Sequence, residues 1–565
     1  MMLARWLEYA VFLALVLGLA RPAGVYMARV FQGQPTWLDP VLLPVERATL
    51  AVLGVRRGDE MTAGVYFASF LLFGLLGTAA LFALLMLQRA LPGGPADSYL
   101  STPMTPDLAL NTAVSFATTT TWQAYAGEST MRYLTQAVGF VSQNFLAGAA
   151  GLAVGVAFIR GLARERAATL GNFWVDLVRA LLWVLLPIAL VGAVALMWQG
   201  VPMNLTPYVK AHTLEGPTQV IAQGPVAALE LIKNLGTNGG GFFNVNGAHP
   251  YENPTPLTGL IALLAIAVLP AALVVTLGEM TGRRRAGWAL LGVMAVLFVG
   301  GLWVCDLAEA APPPHLSPAH LVGGNMEGKE VRFGVADSVL TAVVTSNGAT
   351  GSYNSMHDSY QASGVAVPLV NMLLGEIIFG GLGTGIYAII MIALVAVFLG
   401  GLMIGRTPAY LGKQVTAEET KLVAAYMLLT PLVVMGLSAL ALVLKDGLAG
   451  IGTNPGPHGL TEVVYAYASS MANNGQSMAS LSADTPFWNV TTVVAMLAGR
   501  FGLAGLALML AGRFAAQGRQ AVTSGSLPDD TVSFGALVVG TVVIVGALNF
   551  FPGLALGPVV EALQR

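Results

Sequence analysis

Uncharged apolar runs of about 20 residues, the length a helix needs to cross roughly 30 Å of hydrocarbon, recur along this whole chain. The clearest cover residues 65–87, 133–158, 181–198, 257–277, 288–304, 377–404, 422–444, 487–509 and 534–551, and another begins near Tyr9. Such a chain is expected to be an all-α polytopic membrane protein of about ten spans in contact with membrane lipid. Composition agrees: 55% of the 565 residues are hydrophobic and only 10% charged, and the mean hydropathy of +0.71 lies outside the usual range of water-soluble proteins.

The first run, with Arg5 ahead of an apolar stretch at 10–19, has the form of a signal peptide, but we expect it to be retained as a span. The single cysteine, Cys305, excludes an intrachain disulfide framework and a multi-cysteine metal site. A net charge of -2 without any basic block argues against nucleic acid as a partner. Lys and Arg gather instead in short connectors: Arg56 and Arg57; Arg160, Arg164 and Arg166; Arg283, Arg284 and Arg285; Arg406, Lys413 and Lys421; Arg513 and Arg519. By the excess of positive charge on cytoplasmic loops, these five connectors are expected in the cytoplasm. The long connectors near 93–130, 200–255, 306–364 and 447–485, and both termini, then lie on the extracytoplasmic side.

Each long connector holds a short apolar stretch of helical character followed by a cluster of Thr, Ser, Asn and Gly. The four read PDLALNTAVSFATTTTWQAYAGE from Pro106, GPVAALELIKNLGTNGGGFFNVNG from Gly224, GVADSVLTAVVTSNGATGSYNSMHDS from Gly334, and GLTEVVYAYASSMANNGQSMASL from Gly459. Their polar clusters centre on Thr120, Asn238, Thr350 and Asn474, at intervals of 118, 112 and 124 residues. One such loop alone reads as an ordinary extramembrane turn. Four matched copies, each between two spans, read as re-entrant loops around one pore, because irregular backbone at membrane depth survives only inside protein or against a watery cavity. The expected organisation is an N-terminal helix and connector (1–60), pore repeats at 61–166, 167–285, 286–413 and 414–520, and a C-terminal helix (521–565).

A potassium ion leaves its water only if oxygen ligands replace the lost shell, and backbone carbonyls can do so. Turning successive carbonyls toward an axis needs backbone angles that Gly adopts freely and Asn tolerates. The candidate ion ligands are Thr118, Thr119, Thr120 and Thr121; Thr237, Asn238, Gly239 and Gly240; Ala349, Thr350 and Gly351; and Ala472, Asn473, Asn474 and Gly475. The short helices aim their negative C-terminal ends at the same point. The absence of a carboxylate from all four clusters disfavours a divalent ion. Gln123 is a filter-adjacent candidate, whereas Trp122 and Phe243 read as packing residues and His357 with Asp358 as a local hydrogen-bonded pair.

Residues 365–404 are too long for one crossing and are interrupted by GGLGTG, so a broken helix is expected there, with Gly380, Gly381, Gly383 and Gly385 as gate candidates; close helix packing through small residues is the plainer alternative. Arg500 lies inside an apolar run, where a charge is costly, and is read as a barrier or coupling element that can otherwise snorkel outward. Lys233 and Glu376 are read as interfacial. The nearest phosphate-loop match, Gly323 to Gly328 with Lys329, has Glu330 where Ser or Thr is required, and no DKTG-like sequence occurs. No nucleotide is expected to bind this chain, and it does not hydrolyse ATP by itself.

NTAVSFATTTTWQ from Asn111, LGTNGGGFFNVNGAHPYENPT from Leu235, SYNSMHDS from Ser352, GRTPAYLGK from Gly405 and ANNGQS from Ala472 together resemble KdpA, the potassium-binding subunit of bacterial Kdp-type potassium-transporting ATPases. The resemblance covers nearly the whole chain; the first motif departs from it, since family members often carry Asn among these Thr positions. It implies a fold like the Trk, Ktr and HKT transporters, with one extra span at each end. It also implies a bacterial inner-membrane complex with the P-type ATPase KdpB, the small KdpC and often the tiny KdpF, potassium entering through the filter and passing to KdpB. Arg406 and Arg500 fall where the family carries basic residues on the cytoplasmic half. A stand-alone Trk-type channel or symporter, and a non-conducting assembly scaffold, are the alternatives.

Overall fold

The computed structural model describes residues 2–91, 99–312, 323–403, 405, 408–519 and 528–564. Among them, ten helices are long and apolar enough to cross a membrane. Four pairs of these enclose a shorter helix each. Ala63–Ala90 and Thr135–Ala163 flank Pro106–Ala117; Phe173–Trp198 and Pro256–Thr281 flank Val226–Leu235. Arg284–Glu309 and Thr384–Met403 flank Gly334–Asn347; Ala417–Val443 and Pro486–Ala516 flank Gly456–Ala472. Met2–Phe31 and Val532–Gln564 complete the set.

The two members of each pair differ in burial. The second helices are 56–89% buried over their apolar windows, against 22–39% for the first helices. An inner ring of four helices therefore surrounds the short ones, and the outer helices and the two terminal ones leave most of their apolar side chains at the surface. Contact within the ring is made through small residues, as expected where no water drives helices together. A methyl group on Gly155 would stand 2.6 Å from Gly383 Cα, and one on Gly24, where the first terminal helix packs on the ring, 2.6 Å from Ala272 O.

Helix starts follow local chemistry. Thr105, Thr255 and Thr485 each precede a proline and accept a backbone N–H from the first turn, pairing a hydroxyl cap with a residue that has no N–H to lose. The helix at Phe173 begins before the apolar run at 181 because Asn172 caps Trp174 and Val175. The long third-repeat segment is broken as expected: Ala362–Leu373 ends, and Thr384–Met403 begins, on either side of an irregular stretch. Within the break Glu376, Phe379 and Gly383 have φ of 55°, 47° and 92°. The strands Val209–His212 and Thr218–Ile221 form a largely exposed antiparallel hairpin in the second long connector.

The basic connectors meet at one end of the bundle. Lys413 Nζ donates to the carbonyls of Arg164 and Gln517, at 2.5 and 2.9 Å, Arg519 to that of Thr281 at 3.0 Å, and Arg164 pairs with Glu60. Arg160 departs from the free connector charge read from sequence. It lies buried in the last turn of its helix, 2.8 Å from Asp176, because a carboxylate and the Leu170 carbonyl there replace its water.

Candidate functional site

At the C-terminal end of each short helix the chain turns back with a shared main-chain signature. Two left-handed residues flank one that is not: Thr119 and Thr121 (φ 63° and 46°), Thr237 and Gly239 (48° and 80°), Ala349 and Gly351 (48° and 68°), Asn473 and Gly475 (59° and 94°). The residues between them are Thr120, Asn238, Thr350 and Asn474, so the four loops correspond in register. Their amides turn inward to the preceding helix: Thr121 N donates to Ser115 O (3.0 Å), Asn238 N to Lys233 O (2.8 Å), Thr350 N to Thr345 O (3.3 Å) and Asn474 N to Ser469 O (2.9 Å). Among the described residues no backbone amide donates to the four central carbonyls.

These carbonyls form a closed cycle. A Cβ on Gly239 would lie 1.3 Å from Thr350 O, one on Gly351 2.2 Å from Asn474 O, and one on Gly475 2.1 Å from Thr120 O. The fourth side is closed by a side chain, since Thr121 Oγ1 donates to Asn238 O. Each loop thus abuts the central carbonyl of the next, and glycine is required wherever the approach is made by backbone alone.

The sequence candidates fall around this cycle as follows. Thr119 to Thr121, Thr237 to Gly240, Ala349 to Gly351 and Asn473 to Gly475 belong to the loops; Thr118 is the cap of the first short helix, with its hydroxyl 2.8 Å from that of Thr120, and Ala472 is the last residue of the fourth. Gln123 clasps the second loop, accepting Gly241 N at 2.8 Å and donating to Gly241 O at 3.0 Å. Segments following all four loops, including Trp122 to Ala126, Asn244, Tyr353 to His357, Ser477 to Ala479 and Leu481 to Asp484, frame a cavity of about 780 Å³. The GGLGTG break lies against the other side: Leu382 N donates to Thr237 Oγ1 at 2.7 Å, and a Cβ on Gly381 would meet Ala349 Cβ at 2.6 Å. Gly383 packs instead on Gly151 and Gly155, and Gly380 and Gly385 on each other. Arg500, in a π-helical turn at Ala498–Gly502, does not snorkel outward; it is buried and donates to Ala147 O at 2.8 Å. Arg406 lies outside the described residues.

Three sequence readings need correction. Lys233 and Glu376 are not interfacial but buried, the first beside Glu230 and Glu252, the second accepting Asn474 Nδ2 at 2.7 Å. Their partners are distant in sequence or outside the apolar runs, so hydropathy carries no sign of them. His357 and Asp358 are not paired with each other: His357 Nδ1 meets Tyr465 Oη at 2.8 Å, and Asp358 accepts from Asn454 and Ser480 and lies 3.2 Å from His458 Nε2.

His458 itself bridges Asp358 and Glu561 of the last helix. Burial opposes its charge, but hydrogen bonds to the two carboxylates outweigh that and push its pKa up to about 9. The link is complete below the ordinary histidine value of about 6.5 and is lost as pH rises through about 9. Thermal stability in detergent is expected to fall over that interval and to fall less steeply in His458→Gln; parallel curves for the two proteins contradict this.

A family model described as potassium-transporting ATPase A subunit, KdpA, matches residues 10–563. The chain belongs to this family. The potassium-transporting ATPase potassium-binding subunit of Methylobacterium nodulans is 50% identical over 100% of this chain and 98% of its own length; that of Acidobacterium capsulatum is 47% identical, covering 99% and 98%. A crystal structure of the potassium transporter TrkH from Vibrio parahaemolyticus superposes with a TM-score of 0.54 at 14% identity, over 90% of this chain and 97% of that one. At that identity TrkH speaks for the fold alone: this chain and TrkH share a helical fold.

Proposed function

We propose that this chain selects potassium at the four-loop cycle and passes it onward as the non-hydrolytic, ion-binding subunit of an ATP-driven import complex. The closed cycle of Thr120, Asn238, Thr350 and Asn474 carbonyls carries this reading. Neutral carbonyls in a fixed ring replace the weakly held water of potassium while giving less return on the costlier dehydration of sodium, and the C-terminal ends of four short helices add partial negative charge. The named relatives, potassium-binding subunits of potassium-transporting ATPases, support potassium as the transported ion and an ATPase as the partner.

On this reading the pore units are 61–166, 167–285, 286–413 and 414–520, and the filter comprises the loop residues with Gln123 beside it. KdpB, KdpC and KdpF are the partners. The GGLGTG break and Arg500 gate the path beyond the filter, the basic connectors face the cytoplasm, and both termini are extracytoplasmic in a bacterial inner membrane.

The test is ATPase activity of detergent-solubilised complex purified through this chain, in potassium and in sodium. Hydrolysis stimulated by potassium, with a second large protein present, is expected. Potassium flux in liposomes without partner or hydrolysis replaces the pump with a stand-alone channel or symporter, and absence of potassium binding replaces both with a scaffold.

A further inference from the structure

Ser115, Lys233, Thr345 and Ser469 occupy one position, four residues before the first left-handed residue of each loop. Three are short hydroxyl residues; the second repeat places a lysine there. Its ammonium is fully buried, 2.5 Å from Glu252 Oε2, 2.6 Å from Glu230 Oε2 and 3.3 Å from Asn246 Oδ1. The other oxygen of Glu252 accepts Phe243 N at 2.8 Å. The Lys233 carbonyl accepts both Asn238 N and Gly239 N. One buried cluster therefore holds the second loop at both ends.

That loop needs external support more than the others. Gly239, Gly240 and Gly241 are consecutive, so this segment has the largest backbone freedom of the four, whereas the first loop, built of threonines, has none of these glycines. A buried ion pair contributes little to net stability, since desolvation offsets its attraction, but it fixes geometry because moving any member strands a charge. The two carboxylates also prevent the ammonium from presenting an uncompensated positive charge to a passing cation.

We propose that Lys233, Glu230 and Glu252 form a strut that positions the Asn238 carbonyl and so sets discrimination among monovalent cations, with Lys233 and Glu252 as positioning residues. This rests on the filter reading above. The test uses the purified complex carrying Lys233→Met, Glu252→Gln or Lys233→Arg, with Gly351→Ala as reference. Half-maximal potassium and sodium concentrations for ATPase activity, and activity at saturating potassium, are measured for each. Lys233→Met and Glu252→Gln are expected to raise the half-maximal potassium concentration about tenfold and to lower the potassium-to-sodium preference to a similar degree. Saturated activity is expected to stay within about twofold, and Lys233→Arg, which keeps a cation between the carboxylates, to restore most of the preference. An unchanged preference in Lys233→Met and Glu252→Gln, with Gly351→Ala altered, overturns the strut and leaves the filter standing. No change in Lys233→Met, Glu252→Gln or Gly351→Ala overturns the filter reading itself. If Lys233→Met fails to assemble, Glu252→Gln, nearly isosteric and still able to accept Phe243 N, decides the question.

Discussion

Gly239→Ala is expected to raise the half-maximal potassium concentration for ATPase activity of the complex by at least about 100-fold, some 2.7 kcal/mol, and to abolish preference over sodium. The added methyl group would sit 1.3 Å from Thr350 O, on a backbone with φ of 80°. The left-handed conformation costs a side-chain-bearing residue only about 1–2 kcal/mol, less than this effect needs. The overlap cannot be relieved by a rotamer, because the obstructing atom is backbone and is itself a proposed ligand. Either the second loop retreats or the third carbonyl turns away, and the cycle opens in both cases. Gly282 provides the control. It has nearly the same φ, 71°, at the C-cap of Pro256–Thr281, but nothing lies within 4 Å of its notional Cβ. Gly282→Ala should leave potassium affinity unchanged; equal behaviour of the two variants would reduce the effect at Gly239 to backbone strain and remove the ring argument.

The second large effect concerns stability. Arg160→Met should destabilise the protein by about 3–5 kcal/mol, because it leaves Asp176 buried without its cation. The pair is bidentate, with Nη1 to Oδ2 at 2.8 Å and Nη2 to Oδ1 at 2.9 Å, and Tyr66 Oη donates to the same carboxylate at 3.0 Å. It joins the inner helix of the first repeat to the start of the second. Adding Asp176→Asn to Arg160→Met removes the stranded charge and should recover more than half of the loss. Thermal inactivation in detergent reads both results, and a double variant no more stable than the single one argues against the charge mechanism.

The spans were legible because hydropathy is local: each helix satisfies its own backbone, so apolar length alone locates it. The loops were legible through repetition, since the centres Thr120, Asn238, Thr350 and Asn474 named from spacing are the residues between the left-handed pairs. What spacing does not contain is the order of contact, or the fact that Thr121, a β-branched residue that ordinarily avoids positive φ, takes the conformation that Gly239, Gly351 and Gly475 take in the other loops. The buried partners of Lys233 and Glu376 were hidden for a related reason. Sequence marks a charge in an apolar setting, but Asn474 and Glu376 meet only once the third and fourth repeats have packed.

The cycle closes between Gly475 and Thr120 O, the last loop against the first. A chain emerging from the ribosome in order therefore has two of the four sides available, first loop against second and second against third, before the fourth loop brings the remaining two together, and the first loop waits through most of synthesis for its second neighbour. On the filter reading proposed above, ion selection is thus acquired late and all at once: truncation anywhere before the fourth loop would leave the helices without a complete set of the proposed ion ligands, however many repeats are already in place.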